Sequence, residues 1–271
     1  MTQTILITGA SSGIGRATAR LFQAKGWNVI ATMRNPDDAA DLAVLDNVLV
    51  AALDVLDPAT IASAVAAGLD RFEQIDVVLN NAGYGAYGPL EAFSMAQVKR
   101  QFDTNVIGLL AVTKAVLPHF RARKSGVIVN ISSIGGQMTF PLGTLYHGSK
   151  FAVEGLSEAL HYELESFGVG VKIVEPGMIN TDFGGRSFEF VMDEAMPEYM
   201  STIAGMQKAM ATFGAQPSEP EVVAEVIWTA ARDDTGQLRF RAGADAHALL
   251  AARKEQDDAT FLASIKQTMG L

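Results

Sequence analysis

Short, unbroken runs of Val, Ile and Leu recur along the chain, each followed by a longer segment of helical period. A strand that is apolar at every position must be buried on both faces, and helices between such strands supply the cover. The runs are residues 4–8, 28–33, 48–53, 75–80, 126–131 and 169–175, with a last strand expected at 238–241. Helices are expected at 13–25, 58–72, 95–123, 145–167 and 221–231, followed by a helical tail at 245–269. Asp57 and Pro58 suit the N-cap and first turn of the 58–72 helix. The pattern predicts an α/β fold, a single doubly wound domain over residues 1–271 with a parallel seven-stranded sheet. Residues 183–213 break the alternation with Phe183, Phe188, Phe190, Met192, Met196, Met200, Met206, Met210 and Phe213. Adaptable side chains of this kind suit an irregular apolar pocket, so the stretch is expected to be a helical substrate lid, with plain core packing as the competing reading.

The first run leads into Gly9-Ala10-Ser11-Ser12-Gly13-Ile14-Gly15 and a helix follows at once. Glycines at this junction allow a tight turn and a close approach of backbone to a pyrophosphate at the helix N-terminus. Gly83-Tyr84-Gly85-Ala86-Tyr87-Gly88 matches the literal G-x-G-x-x-G fingerprint, but Pro89 follows instead of a helix start. It is read as a loop beside the site. The second strand ends Thr32-Met33-Arg34, with no carboxylate at its tip for a ribose hydroxyl, and Asp37 and Asp38 lie too far along. Arg34 instead offers a guanidinium fork suited to a 2′-phosphate, so NADP(H) is expected in preference to NAD(H).

Tyr146 and Lys150 stand at i and i+4 at the start of a helix, and share one face. A phenol of pKa ~10 is a poor base at neutral pH, and an ammonium beside it favours the phenolate. Ser133 lies thirteen residues earlier, at the end of the fifth strand. The carboxyl ends of parallel strands are where open α/β sheets bind ligands.

Composition excludes other chemistries. With 30 acidic against 21 basic residues and a net charge of −9, the chain is a poor partner for nucleic acid or an anionic membrane. It has no cysteine, which removes disulfides, thiolate catalysis and sulfur-ligated zinc. His119, His147, His161 and His247 show no metal-ligand spacing, and no metal is expected; His147 is expected to face solvent or a neighbouring helix. Asp233, Asp234 and Gly236 read as a turn. No basic residue precedes Arg16 and no apolar run reaches spanning length, so a cytoplasmic protein is expected.

Thr8-Gly9-x-x-x-Gly13-Ile14-Gly15, Asp54-Val55, Asn80-Asn81-Ala82-Gly83, Asn105, Ser133, Tyr146-x-x-x-Lys150 and Pro176-Gly177 occur in this order. The set resembles the short-chain dehydrogenase/reductase family, whose members have a Rossmann-type fold. The resemblance implies that Tyr146 is the general acid/base and that Ser133 hydrogen-bonds the same substrate oxygen. Lys150 would lower the tyrosine pKa and hold the nicotinamide ribose, while Asn105 would hold a water in a proton relay. It further implies Asp54 and Val55 at the adenine, and Asn81, Ala82 and Gly83 along the adenosine. Pro176, Gly177, Ile179 and Thr181 would lie at the nicotinamide. Arg34 resembles the base that NADP-preferring members carry after strand two; a base within the glycine loop is not matched, since Ser12 stands there. Phe140, Leu142, Tyr87 and Phe183 are candidate substrate-pocket walls. The expected activity is the interconversion of a ketone or aldehyde with its alcohol, on a largely apolar small molecule, by a homodimer or homotetramer. An NAD-linked alcohol dehydrogenase is the alternative, followed by a catalytically silent dinucleotide sensor.

Overall fold

The computed structural model describes residues 2–182, 185, 187–213 and 216–271. Its first half runs β1 (Thr4–Thr8), α1 (Gly13–Ala24), β2 (Asn28–Met33), a single turn α2 (Ala40–Ala43), β3 (Val48–Ala52), α3 (Pro58–Phe72) and β4 (Val77–Asn80). There follow β5 (Gly85–Tyr87), α4 (Met95–Phe102), α5 (Leu109–Arg123), β6 (Gly126–Ile131), α6 (Thr144–Glu165) and β7 (Val169–Pro176). The remainder is β8 (Phe188–Phe190), α7 (Met200–Phe213), α8 (Pro220–Ala231), β9 (Arg239–Ala242), α9 (Ala244–Glu255) and α10 (Asp258–Met269).

Seven of these strands form one parallel sheet in the order β3-β2-β1-β4-β6-β7-β9. The chain builds outward from β1 to β3, then returns to place β4 on the other side of β1. That reversal opens a crevice at the carboxyl ends of the strands. The apolar strands are covered on both faces, as their composition requires. On one face Ile5, Ile7, Val29 and Val174 pack with Phe22 of α1 and Val223 and Ile227 of α8. On the other, Leu6, Ile30, Val78 and Ile128 meet Ile61 of α3, Val112 and Val116 of α5 and Leu164 of α6. Inside the second layer Asn80 donates to Thr113 Oγ1 (3.0 Å) and Asn130 Oδ1 (2.8 Å), and Asn130 donates to Ser157 Oγ (2.8 Å), a chain of donors that links β4 and β6 to α5 and α6.

Two expectations are corrected and a third, the helical tail, is refined. The stretch 95–123 is not one helix: α4 and α5 are joined by a π-helical segment, Asp103–Gly108, whose wider turn buries Asn105. The glycine-rich segment after β4 is not a plain loop, because β5 pairs in parallel with β8 to form a second, two-stranded sheet. Hydrophobic period could not show this, since each strand is three residues long. The C-terminal tail is two helices, interrupted where Asp257 caps α10 by accepting the Thr260 N–H.

The Met- and Phe-rich stretch divides between its two readings. Ile203, Met206 and Ala209 of α7 are buried, while Met192 and Met200 are exposed. Phe183 and Arg186 lie outside the described residues. Among the described residues no helix is long and apolar enough to cross a membrane.

Phe22 is fully buried between Trp27 (ring centroids 5.1 Å apart) and Trp228 (5.0 Å), joining α1 to α8. Phe22→Ala is expected to cost about 3–5 kcal/mol of stability, read as a lowered urea midpoint with an unchanged slope.

Candidate active site

At the end of β1 the side chain of Thr8 turns inward and ties two strands together. Its hydroxyl accepts the N–H groups of Asn81 and Ala82, each at 3.0 Å. Asn81 reciprocates, donating its side-chain amide to the carbonyls of Thr8 (2.9 Å) and Gly9 (3.1 Å). Gly9 has φ +68°, in the left-handed region that favours glycine. A β-carbon on Gly15 would stand 2.3 Å from the Gly9 carbonyl oxygen, so α1 can approach the turn this closely only with glycine there. Asn81, expected along the adenosine, thus spends its amide on the shape of the glycine loop.

Ser11, Ser12, Gly13 and Ile14 lie half-buried at the rim, and Ser12 is the extended N-cap residue of α1. Across from them runs the turn after β7. A β-carbon on Gly13 would stand 3.2 Å from the Thr181 side chain, so the loop and the turn meet. Together with α1 and the start of α8 they line a cleft of about 310 Å³. Pro176 is buried and the Gly177 N–H donates to Ala242 (3.0 Å). Asp245 of α9 accepts the Met178 N–H at 2.6 Å, and Ile179 bridges to Ser218. Val55 is buried beside half-buried Asp54, whose carboxylate accepts the Leu56 N–H at 2.9 Å.

Arg34 stands exposed at the tip of β2. Of the acids after it, Asp38 has its carboxylate held by the Asn35 amide (3.1 Å), and Asn35 also accepts the backbone N–H of Asp37 (3.3 Å). The ion pairs of Arg16 and Arg20 with Asp41 hold that carboxyl down at about 2.

The crevice beyond β4 and β6 gathers the other predicted residues. Ser133, in extended backbone just past β6, accepts the Gly135 N–H at 3.0 Å and is hydrogen-bonded to Tyr146. Burial raises the Tyr146 phenol above its usual 10, opposed by that Ser133 hydrogen bond. Lys150, buried one turn on, donates to the Ile131 carbonyl at 2.9 Å and lies 5.8 Å from the centre of the Tyr146 ring. Desolvation brings its pKa down to about 8, with the nearby Glu154 charge opposing.

Asn105 is fixed on both ends by Tyr84, accepting its N–H (3.0 Å) and donating to its carbonyl (2.8 Å), and also donates to Ser149 Oγ (3.1 Å). Gln101, one turn earlier, donates to the same Tyr84 carbonyl (3.0 Å) and to Ser149 (3.2 Å) while accepting the Ala86 N–H (2.8 Å). Sequence reading missed Gln101 and Ser149. The signal was present, since Gln101 and Asn105 are an i, i+4 amide pair.

The candidate pocket walls also converge. Tyr87 is buried against Tyr146 (centroids 5.4 Å apart) and Phe188 (5.3 Å). Leu142 holds φ +64° and accepts the Gly88 N–H at 2.8 Å. Phe140 lies half-buried, 6.0 Å from His147. His147 is a correction: it faces neither solvent nor a helix but is 3% exposed. Its Nδ1 meets the Gly135 carbonyl at 3.0 Å and its Nε2 accepts the Phe140 N–H at 3.0 Å, which assigns the proton to Nδ1. The imidazole ties the turn that carries Ser133 onto α6.

The model of the short chain dehydrogenase family matches residues 3–191. The chain belongs to the short-chain dehydrogenase family. This makes it one of a family of oxidoreductases that act on CH–OH and carbonyl groups. An uncharacterized oxidoreductase of Schizosaccharomyces pombe is 44% identical, covering 88% of this chain and all of that one. Retinol dehydrogenase 8 of Bos taurus is 37% identical over 72% of this chain and 65% of its own length. Among solved structures, a short-chain dehydrogenase from Streptomyces avermitilis superposes with TM-score 0.86 at 35% identity, over 99% of this chain and 98% of that one. A variant of actinorhodin polyketide ketoreductase solved with NADPH has TM-score 0.75 at 27% identity, over 89% and 94% of the two chains.

Burial lowers the His147 pKa from 6.5. The unfolded chain therefore binds a proton more readily than the folded one, and stability is lost as pH falls below 6.5. In His147→Gln this contribution disappears: Tm measured from pH 7 down to 5 should fall less steeply than in the wild type.

Proposed function

We propose that the protein is an NADP(H)-dependent oxidoreductase that interconverts a ketone or aldehyde with its alcohol on a largely apolar substrate. The observation that carries this reading is the Ser133–Tyr146 hydrogen bond with the Lys150 ammonium beside the phenol ring, at the carboxyl edge of the sheet. In reduction, Tyr146 gives its hydroxyl proton to the carbonyl oxygen, and burial keeps that proton in place until substrate arrives. Ser133 donates a hydrogen bond to the same oxygen as charge develops there. Lys150 stands where its charge offsets the phenolate left behind. Asn105, pinned by Tyr84 and Ser149, is the residue to hold a water for reprotonation.

The dinucleotide supplies or accepts the hydride when bound. The residues fit such a ligand: Gly13 at the N-terminus of α1 and Thr181 border one cleft, and Arg34 is exposed at the tip of β2, the strand beside β1. The absence of a carboxylate at the β2 tip, with the Asp38 carboxylate engaged by Asn35, favours a 2′-phosphate on Arg34. The NADPH-bound polyketide ketoreductase supports the cofactor, and retinol dehydrogenase 8 supports an extended apolar substrate. Tyr87, Phe140, Leu142 and Phe188 provide apolar walls, and the described part of the Met- and Phe-rich stretch, 187–213, the lid. A homo-oligomer is part of the same reading.

Two measurements test it. NADPH is expected to bind at least ten times tighter than NADH, and Arg34→Ala to abolish the difference, a loss of ~1.4 kcal/mol or more; equal binding by the wild type would assign an NAD-linked enzyme. Tyr146→Phe should cut kcat about 10²–10⁴-fold on any accepted ketone while leaving NADPH affinity within about threefold.

A further inference from the structure

Behind the Tyr146–Lys150 helix face two carboxyl groups that the reaction proposed above does not use. Glu154 stands one turn after Lys150 on α6, and Glu175 is next to last in β7, immediately before Pro176-Gly177. Both are buried, Glu175 completely. They converge on one guanidinium: Arg239 Nε lies 2.9 Å from Glu154 Oε2 and 3.7 Å from Glu175 Oε1. Each keeps a second oxygen, Oε1 of Glu154 and Oε2 of Glu175, buried without a hydrogen-bond partner. Two ionised carboxylates would leave both oxygens unsatisfied at high cost, and a single proton on the pair lowers that cost.

The surrounding groups show which carboxyl carries the proton. On α6 the neighbours are Lys150 and Glu158, and Glu158 takes the other arm of Arg239 at 2.7 Å. On β9 the cations are Arg239 and Arg241, the latter 4.0 Å from Glu175 and beyond hydrogen-bond reach. From the turn after β6 come Gln137, which donates to Glu175 Oε1, and Ser132, whose hydroxyl turns toward Glu154 without closing a well-formed bond. Glu154 has the direct charge-assisted bond to Arg239, and Glu175 has only the neutral Gln137 amide and a longer approach. Burial and the Glu154 charge push Glu175 up to about 7. Two full charges so close in a poorly solvated site cannot both persist cheaply.

We propose that Glu154 and Glu175 carry one proton between them, held on Glu175, leaving Glu154 as the buried counter-charge that keeps Lys150 an ammonium. Glu154 is thus a positioning residue acting through Lys150. Glu175 is what allows it to stay charged, and Gln137 links the pair to the turn that carries Ser133. The role of Lys150 is taken from the function proposed above; the proton inventory is independent of it.

The test is carbon-13 NMR of the intact protein labelled at glutamate carboxyls and lysine Cε, with the pH profile of carbonyl reduction alongside. One glutamate carboxyl should titrate near pH 7 in the wild type and vanish in Glu175→Gln. Glu154→Gln should lower the Lys150 titration, and with it the alkaline limb of kcat, by about one pH unit, a tenfold change in the ammonium equilibrium. Glu175→Gln, which mimics the protonated acid, should move that limb less than Glu154→Gln does. A packing role alone would lower kcat without moving either titration. The proposal is overturned if no glutamate in the wild type titrates above pH 6, a result that needs no variant to fold. It is equally overturned if Lys150 titrates unchanged in a folded Glu154→Gln. If the NMR titrations behave as stated but the alkaline limb does not follow Lys150, the proton pair stands and the proposed catalytic role of Lys150 is what fails.

Discussion

The contact on which the site depends is the hydrogen bond from the Lys150 ammonium to the Ile131 carbonyl, 2.9 Å long and almost wholly removed from water. Ile131 ends β6, so its carbonyl faces the crevice at the carboxyl edge of the sheet. A lysine held there fixes α6 at one height and rotation against the strand, which in turn decides where Tyr146 and Ser133 meet. A buried cation is costly unless paired. The carboxylate one turn away, the shared Arg239 and the second carboxyl on β7 are intelligible as compensation for it. The cluster is better viewed as a requirement of a lysine in this position than as a source of stability, since buried ion pairs seldom add much.

The two halves of the crevice are made rigid by different means. On the side of the glycine loop the constraints lie in the backbone: Gly9 in the left-handed region, Gly15 against the Gly9 carbonyl, and Thr8 and Asn81 exchanging hydrogen bonds across β1 and β4. On the other side, loops from distant parts of the chain are held by side chains. Tyr84 and Ala86 hang on Gln101 and Asn105, the 134–140 turn on His147, and β8 on β5, helped by Glu189 bonding to Gln97 and Arg100.

That difference explains what could be read in the sequence. The parallel sheet was legible because a strand buried on both faces is apolar at every position, and the glycine loop because steric demands leave few residues a choice. Tyr146, Lys150 and Ser133 were legible through spacing. The illegible features all depend on partners remote in the chain. Nothing in Gly85-Ala86-Tyr87 marks a strand until Phe188–Phe190 lies beside it. His147 looked like a surface residue because its two partners, Gly135 and Phe140, belong to the preceding turn, folded back over α6. The π-helical turn is likewise hidden, as Asp103–Gly108 continues the apolar period of the helices on either side. What reveals it is the position of Asn105, which the wider turn directs at Tyr84 and Ser149.

A consequence follows for how such a chain can change. The glycine-loop side tolerates little, because Gly15 or Thr8 cannot vary without moving the end of β1. The opposite side is held by side-chain contacts that can be exchanged singly: Glu189 with Arg100, and Tyr87 with Phe188. Each sets the position of one wall without bearing on the sheet beneath. Substitutions there reshape the mouth of the crevice at small cost to folding, while Tyr146 stays fixed by α6, the helix anchored through Lys150. A fixed Tyr146 and adjustable walls are thus separable because different elements of the chain carry them.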